Sequence, residues 1–173
     1  MPLKTAICIG TNGDGVRYAH SDAEAIKPIL QDLGYSLGKL SIYPDGRIAV
    51  SHGQADLLYL AGPANHHRIG QVDVGHCYLD VRELASHFRA MILDTCKVGR
   101  LLQPAGKTPV LAAAEEYAFE ADQPERGSIF GYWLRRWLST CDTLDVTDWA
   151  MHTYIATHVM EATGIQVVRF GYL

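Results

Sequence analysis

Four short apolar runs, separated by polar segments that contain glycine or proline, constrain the fold of this chain more than any other feature. The runs are residues 4–10 (KTAICIG), 56–62 (DLLYLAG), 90–93 (AMIL) and 109–114 (PVLAAA). Uninterrupted apolar runs of this length are typical of strands buried on both faces, as in a parallel sheet. Because helical patterns lie between them, the order predicts an α/β fold with a mostly parallel central sheet and helices on both faces.

The remaining elements follow from capping and turn signals. Capping boxes at Ser21 to Glu24 and at Asp80 to Glu83 predict two helix starts, and Thr147 is the expected cap of a last helix that ends at Gly164. Residues 37–50 alternate about a Pro-Asp-Gly turn and predict a hairpin. Aromatic and leucine side chains recur at helical spacing over 130–138, residues 63–75 are expected to be a loop, and residues 165–170 to be a closing strand.

Composition limits the class of protein. The 173 residues carry 15 basic and 19 acidic side chains, for a formal charge of −4, so nucleic acid is not an expected partner. No apolar run reaches the roughly 18 residues of a membrane-spanning helix, and no secretory signal is recognisable, so a single cytoplasmic domain over 1–173 is expected. The four cysteines form no CxxC pair, which predicts free thiols without a metal or other cofactor.

Cys96 is the strongest candidate for chemistry. It follows the apolar run 90–93 and Asp94, and the carboxyl ends of parallel strands are where ligands bind in open α/β sheets. Lys97 beside it is expected to favour the thiolate. A nucleophilic cysteine also needs a proton carrier and an N–H donor for the oxyanion, and His52 with Gly53, after another strand-like run, could supply both.

The chain as a whole resembles the caspase-like cysteine peptidases, which include caspases, metacaspases, paracaspases and small bacterial relatives. The resemblance rests on the order of KTAICIGTN and YAHSDAEAIKPILQDLGY, then SHGQ, then YLDVRELASHFRAMILDTCKVG, and then TPVLAAAEEYAFEA, GSIFGYWLRRWL and DVTDWAMHTYIATHVME. It implies a three-layer caspase-like fold, with a large-subunit-like half over 1–103 and a small-subunit-like half over 104–173.

The resemblance implies peptide-bond hydrolysis through an acyl-enzyme. Cys96 would be the nucleophile, His52 the proton carrier, and the N–H groups of Gly53 and Cys96 would hold the oxyanion. A rival alignment places DLLYLAGPAN on the histidine strand, so that Pro63 and Ala64 take the histidine and glycine positions, and catalysis would then be lost or would depend on the adjacent pair 66–67 (His-His). The alternative function is therefore a catalytically inactive caspase-like pseudo-enzyme that binds or regulates a partner.

The family also suggests what would be cleaved. Asp94 and Asp22 match acids of the branches that cut after arginine or lysine, and Glu116 could add negative charge to the same pocket. A guanidinium from the substrate would offset the cost of burying these carboxylates. The expected partner is thus a protein or peptide substrate, with a regulatory partner possible. Calcium dependence and the oligomeric state stay open.

Overall fold

The computed structural model describes residues 4–44, 47–51, 53–123 and 125–173. The strands are β1 (Lys4–Gly10), β2 (Tyr35–Leu37), β3 (Leu40–Ile42), β4 (Ile48–Val50), β5 (Ala55–Ala61), β6 (Gln71–Asp73), β7 (Tyr78–Asp80), β8 (Phe88–Asp94), β9 (Pro109–Ala112) and β10 (Arg169–Tyr172). The helices are α1 (Ala19–Asp32), α2 (Val81–Ala85), α3 (Ile129–Leu138) and α4 (Trp149–Thr163), with a 3₁₀ turn at Val98–Leu101.

Six of these strands form the central sheet, in the order β10-β9-β8-β5-β1-β2. Every neighbouring pair is parallel except β10 with β9. The four apolar runs of the sequence become β1, β5, β8 and β9, which confirms the predicted mostly parallel sheet. Since β8 and β5 occupy the middle, the residues that follow them meet at one carboxyl edge.

Two apolar layers enclose the sheet. On one face, α1, α3 and α4 contribute the largest buried side chains, among them Ile26, Leu30, Phe130, Leu134 and Ile155. On the other face, α2 packs together with the hairpins β3–β4 and β6–β7. Burial of this apolar surface is the main stabilising contribution to a fold of this kind. The helices thus cover both faces of the sheet, as the sequence predicts.

Two of the predicted helix starts are displaced. Helix α1 begins at Ala19, before the predicted capping box, and the Ser21 hydroxyl donates to the Tyr18 carbonyl instead of capping. Asp148, and not Thr147, caps α4, because its carboxylate accepts the Ala150 N–H at 2.8 Å. The Asp80 cap of α2 is confirmed, with its carboxylate accepting the Arg82 N–H at 2.9 Å.

Hairpins account for the remaining local differences. The β3–β4 hairpin is confirmed, with Leu40 opposite Val50, although residues 45 and 46 of its turn lie outside the described residues. The stretch expected to be a loop contains β6, which pairs with β7 in a second hairpin. The predicted closing strand exists as β10, beginning at Arg169. None of the helices in the described part of the chain is long and apolar enough to span a bilayer.

Candidate active site

Cys96 lies where the sequence predicts it, two residues beyond the end of β8. The preceding residues Asp94 and Thr95 are buried, and Cys96 itself is half-buried. Its Sγ accepts a hydrogen bond from the N–H of Ala118 at 3.2 Å. The next residue, Lys97, has a left-handed backbone with φ of 64° and donates its N–H to the Glu116 carbonyl at 2.9 Å. The loop after β9 is therefore hydrogen-bonded to the thiol itself and to the residue that follows it.

The environment of Cys96 disfavours the thiolate. Burial raises the pKa of the thiol, and the negative charge of Asp94 raises it further. The Ala118 N–H and the charge of Lys97 act in the opposite direction but do not reverse the shift. Lys97 does favour the thiolate, as expected, but desolvation outweighs this one cation and the pKa of Cys96 stays raised.

A small cavity adjoins the thiol. It has a volume of about 30 Å³ and is lined by Asp22, Asp94, Cys96, Ser128 and the loop residues 118–120, among others. Pockets that hold drug-sized ligands are typically about 300–1,000 Å³. The cavity beside the thiol is therefore small compared with ordinary ligand pockets.

The two acids predicted for the pocket do come together beside Cys96. Asp94 Oδ2 accepts hydrogen bonds from the hydroxyls of Tyr59, at 3.1 Å, and of Ser128. Asp22 Oδ2 accepts the Ser128 N–H at 2.8 Å, and its Oδ1 accepts from Arg135 Nη1 at 2.5 Å. Asp22 is only 2% exposed and Asp94 6%. Both carboxylates are thus satisfied by groups of the chain itself.

Burial dominates the titration of this pair. It raises the pKa of Asp94 to about 7, helped by the negative charge of Asp22 and opposed by the hydrogen bonds from Ser128 and Tyr59. Burial also raises the pKa of Asp22, while the Ser128 N–H and Arg135 oppose the rise. Asp94 is the member that holds a proton near neutral pH, since its donors are uncharged, whereas Asp22 faces a cation.

Glu116 does not reach this cavity. Its carboxylate pairs with the guanidinium of Arg100, and both side chains are nearly half exposed. An exposed ion pair of this kind contributes little to stability or to recognition. The prediction that Glu116 adds charge to the pocket is therefore wrong in this structure, because its side chain points to the surface beside the 3₁₀ turn.

The predicted oxyanion role of Gly53 is contradicted. Gly53 lies just before β5, and Ala55 at the start of that strand is opposite Phe88 at the start of β8. Cys96 follows the other end of β8, so the length of the strand, about 20 Å at ~3.3 Å per residue, separates the two. Gly53 is at the amino edge of the sheet and cannot donate to an oxyanion at Cys96. His52 lies outside the described residues.

The carboxyl edge beside Cys96 is instead formed by Gly62, Pro63 and Ala64. Ala61 is opposite Asp94, and the Gly62 N–H donates to the Asp94 carbonyl at 3.3 Å. These are the positions to which the rival alignment assigns the histidine and glycine. The register that removes the catalytic histidine is therefore the one that the sheet pairing supports.

The two histidines that follow this edge are exposed. The backbone N–H of His67 donates to the side chain of Asn65 at 2.9 Å, and neither His66 nor His67 lines the cavity beside Cys96. Within the described ranges, no three histidine, cysteine or acidic side chains lie close enough to hold a metal ion. The site therefore consists of the Cys96 thiol, the carboxyl groups of Asp22 and Asp94, and the hydroxyl and N–H groups that donate to them.

Sequence reasoning missed three contributors to the site. Tyr59 and Ser128 donate to Asp94, and Arg135 pairs with Asp22. The Ser128 cap was recognisable, because a serine before a helical apolar pattern is a common helix start. No local signal distinguishes Arg135 from its neighbour on α3.

Comparison with solved structures identifies the architecture. The structure is similar to caspase-1 from Spodoptera frugiperda, with a TM-score of 0.60 and 13% sequence identity, over 98% of this chain and 85% of that one. The fold is caspase-like. No family model matches the sequence, and no curated protein matches it. At this identity the similarity shows the caspase-like fold alone, and the chemistry at Cys96 has to be argued from the site.

Proposed function

We propose that this chain is a caspase-like pseudo-enzyme, a folded module that binds a protein or peptide partner without hydrolysing it. One observation carries the proposal: β5, the strand next to the cysteine strand, ends in Gly62-Pro63-Ala64 and presents no histidine at the edge beside Cys96. Proline has no side chain that can accept or deliver a proton. Among the residues that the structure describes, none at this edge supplies the general base that cysteine hydrolysis requires.

Two further features support the proposal. The raised pKa of Cys96 keeps the sulfur protonated, whereas the nucleophile is the thiolate. The cavity beside it, at about 30 Å³, is small compared with ordinary ligand pockets, which does not favour a site built for a long substrate side chain. General acid–base catalysis contributes about 10²–10⁴-fold to the rate of an enzyme. A thiol without a histidine beside it is expected to lose a factor of this size in the rate of peptide hydrolysis.

Binding would use exposed apolar side chains near the loop that covers Cys96. Tyr117, Ile165 and Val167 line one shallow hollow and are 58%, 67% and 39% exposed. Grouped exposed apolar residues are typical of interaction sites. Peptides selected against the wild-type protein should bind Ile165→Ser weakly and a Trp149→Ser control normally. Equal binding to Ile165→Ser would place the partner elsewhere.

We also propose a cytoplasmic location, which suits the four unpaired thiols.

The second candidate is a cysteine endopeptidase that cuts after arginine or lysine. It is favoured by the position of Cys96 at the carboxyl edge of a central strand, with Asp94 and Asp22 beside it. In this reading the proton carrier would be His52, His66 or His67.

Peptidase assays separate the two candidates. Purified protein is incubated with fluorogenic peptides ending in arginine, lysine or aspartate, with and without calcium, beside Cys96→Ala, His52→Ala and a His66→Ala/His67→Ala double variant. We expect no turnover above that of Cys96→Ala under any condition. Turnover that disappears in Cys96→Ala would refute the pseudo-enzyme, and the histidine variant that also abolishes it would name the base.

A further inference from the structure

Arg135 occupies the position of a ligand to the buried acid Asp22. Its Nη1 donates to Asp22 Oδ1 at 2.5 Å, and its Nη2 donates to the carbonyl of Arg126 at 2.8 Å. The Arg135 side chain is 14% exposed and the Asp22 side chain 2% exposed. Both ends of the guanidinium fork are therefore engaged by acceptors of the chain itself.

The charges of the pocket balance only when Arg135 is included. Asp94 receives hydrogen bonds from two uncharged hydroxyls, those of Tyr59 and Ser128, and carries the proton of the acid pair near neutral pH. Asp22 remains as the buried negative charge, and a buried carboxylate without a cation is costly. Arg135 is the cation that meets it.

Both oxygens of Asp22 are already engaged, Oδ1 by Arg135 and Oδ2 by the N–H of Ser128. Seen from Cys96, the cavity that leads to Asp22 and Asp94 has a volume of about 30 Å³. The backbone of Gly131 packs closely against Arg135 and Asp94, since a Cβ built there would lie 3.3 Å from Arg135 Nη1 and 3.1 Å from Asp94 Oδ2. Helix α3 therefore fixes where the Arg135 guanidinium sits.

We propose that Asp22 and the carbonyl of Arg126 form a guanidinium-binding site which the chain fills with its own Arg135. The acidic pocket beside Cys96 is then closed to arginine side chains from outside the molecule. A planar fork with several donors suits these two acceptors better than the point charge of an ammonium. The inference holds whether or not Cys96 is active, and so goes beyond the proposed function.

Removal of the arginine should open the site to a small guanidinium compound. Thermal unfolding is measured for wild type, Arg135→Ala and the matched control Arg136→Ala, whose side chain is exposed and contacts Tyr132. We expect Arg135→Ala to lower Tm by about 10 °C, because one partner of a buried pair is lost, and Arg136→Ala by less than about 2 °C. Millimolar methylguanidinium chloride should restore roughly half of the loss in Arg135→Ala, saturably, and leave the other two proteins unchanged.

Methylammonium chloride and methylurea are the comparison compounds. Equal rescue by methylammonium would show a generic charge effect and overturn the guanidinium assignment. A similar Tm increase of the wild type with methylguanidinium would show that Arg135 does not fill the site. No rescue of a folded Arg135→Ala protein would also overturn the proposal.

A second measurement covers the case in which Arg135→Ala does not fold. In ¹⁵N-arginine-labelled wild type, a guanidinium held at both ends should show separate Nη resonances, assigned by their loss in Arg135→Lys. Asp22→Asn should merge them, and unresolved resonances in the wild type would refute the proposal. The peptide assay keeps the two proposals distinct: Cys96-dependent cleavage after arginine by Arg135→Ala but not by wild type would refute the pseudo-enzyme while supporting the closed pocket, and such cleavage by the wild type would refute both.

Discussion

The hydroxyl of Ser128 joins the start of helix α3 to the carboxylate of Asp94. Its Oγ accepts the Gly131 N–H at 2.7 Å, as a helix cap does, and donates its proton to Asp94 Oδ2. The backbone N–H of the same residue donates to Asp22 at 2.8 Å. One serine therefore supports both acids of the site and fixes the helix that carries Arg135.

Substitution Ser128→Ala should destabilise the protein more than loss of a cap alone. A helix N-cap contributes about 1 kcal/mol, and removing one of the two hydroxyl donors of a buried carboxyl costs a further ~1–3 kcal/mol. We expect a decrease in the free energy of unfolding of about 2–4 kcal/mol, measured by urea denaturation. The control is Asp148→Ala, which removes an exposed cap of α4 and should cost about 1 kcal/mol. Equal losses in the two variants would mean that the Ser128–Asp94 hydrogen bond adds nothing.

Asp94 should make the stability of the protein fall as pH rises from about 4 to about 7. The folded-state pKa of about 7 lies above the ordinary value of 3.8, so the folded protein binds a proton in this range that the unfolded chain has released. Asp94→Asn removes this titration while retaining a side chain that accepts hydrogen bonds. Its stability relative to wild type should thus increase by a few kcal/mol between pH 5 and pH 8.

The measurement is chemical denaturation of both proteins across this pH range, with the exposed acid Asp32 substituted by asparagine as a control. The control should follow the wild type at every pH. A difference between Asp94→Asn and wild type that does not change with pH would show that Asp94 titrates normally in the folded protein.

The central strands of this fold were predictable because strands that are buried on both faces have almost uninterrupted apolar sequences. The runs that became β1, β5, β8 and β9 contain almost no polar side chains, and Gly164 ends α4 with the left-handed φ of 74° that a glycine cap adopts. The hairpin of β6 and β7 was missed because its residues are mostly polar and its three-residue strands give almost no alternation. Strands this short form because they pack on the apolar layer beneath them, to which Val72 and Leu79 belong.

The misplacement of Gly53 and the failure to recognise Arg135 have one physical cause, which is long-range packing. Gly53 and Gly62 both follow strand-like runs, and only the pairing of β5 with β8 decides which of them lies beside Cys96. Such pairing joins residues more than 30 positions apart, and the sequence of neither segment indicates which strand will be its neighbour. Arg135 and Arg136 are likewise adjacent residues of the same type, and the sequence does not distinguish them. The orientation of α3 against the sheet brings Arg135 to Asp22.

An imidazole placed at the end of β5 should activate Cys96. The double substitution Pro63→His/Ala64→Gly introduces one at the carboxyl edge, where Gly62 contacts the backbone of Asp94. A histidine beside a thiol stabilises the thiolate, so the pKa of Cys96 should fall and its alkylation by iodoacetamide at neutral pH should accelerate about tenfold. Mass spectrometry of each cysteine gives the rates. Cys8, whose pKa burial raises to about 12, serves as the slow internal reference.

The matched control introduces an imidazole at the opposite edge of the same strand. Gln54→His lies just before β5, about 20 Å from Cys96 along the strand, and should leave the alkylation rate of Cys96 unchanged. Equal acceleration in the two variants would point to loosening of the fold instead of a local effect on the thiol. An unchanged rate in a correctly folded Pro63→His/Ala64→Gly protein would mean that the end of β5 does not face the sulfur, and the main support for the pseudo-enzyme would be lost.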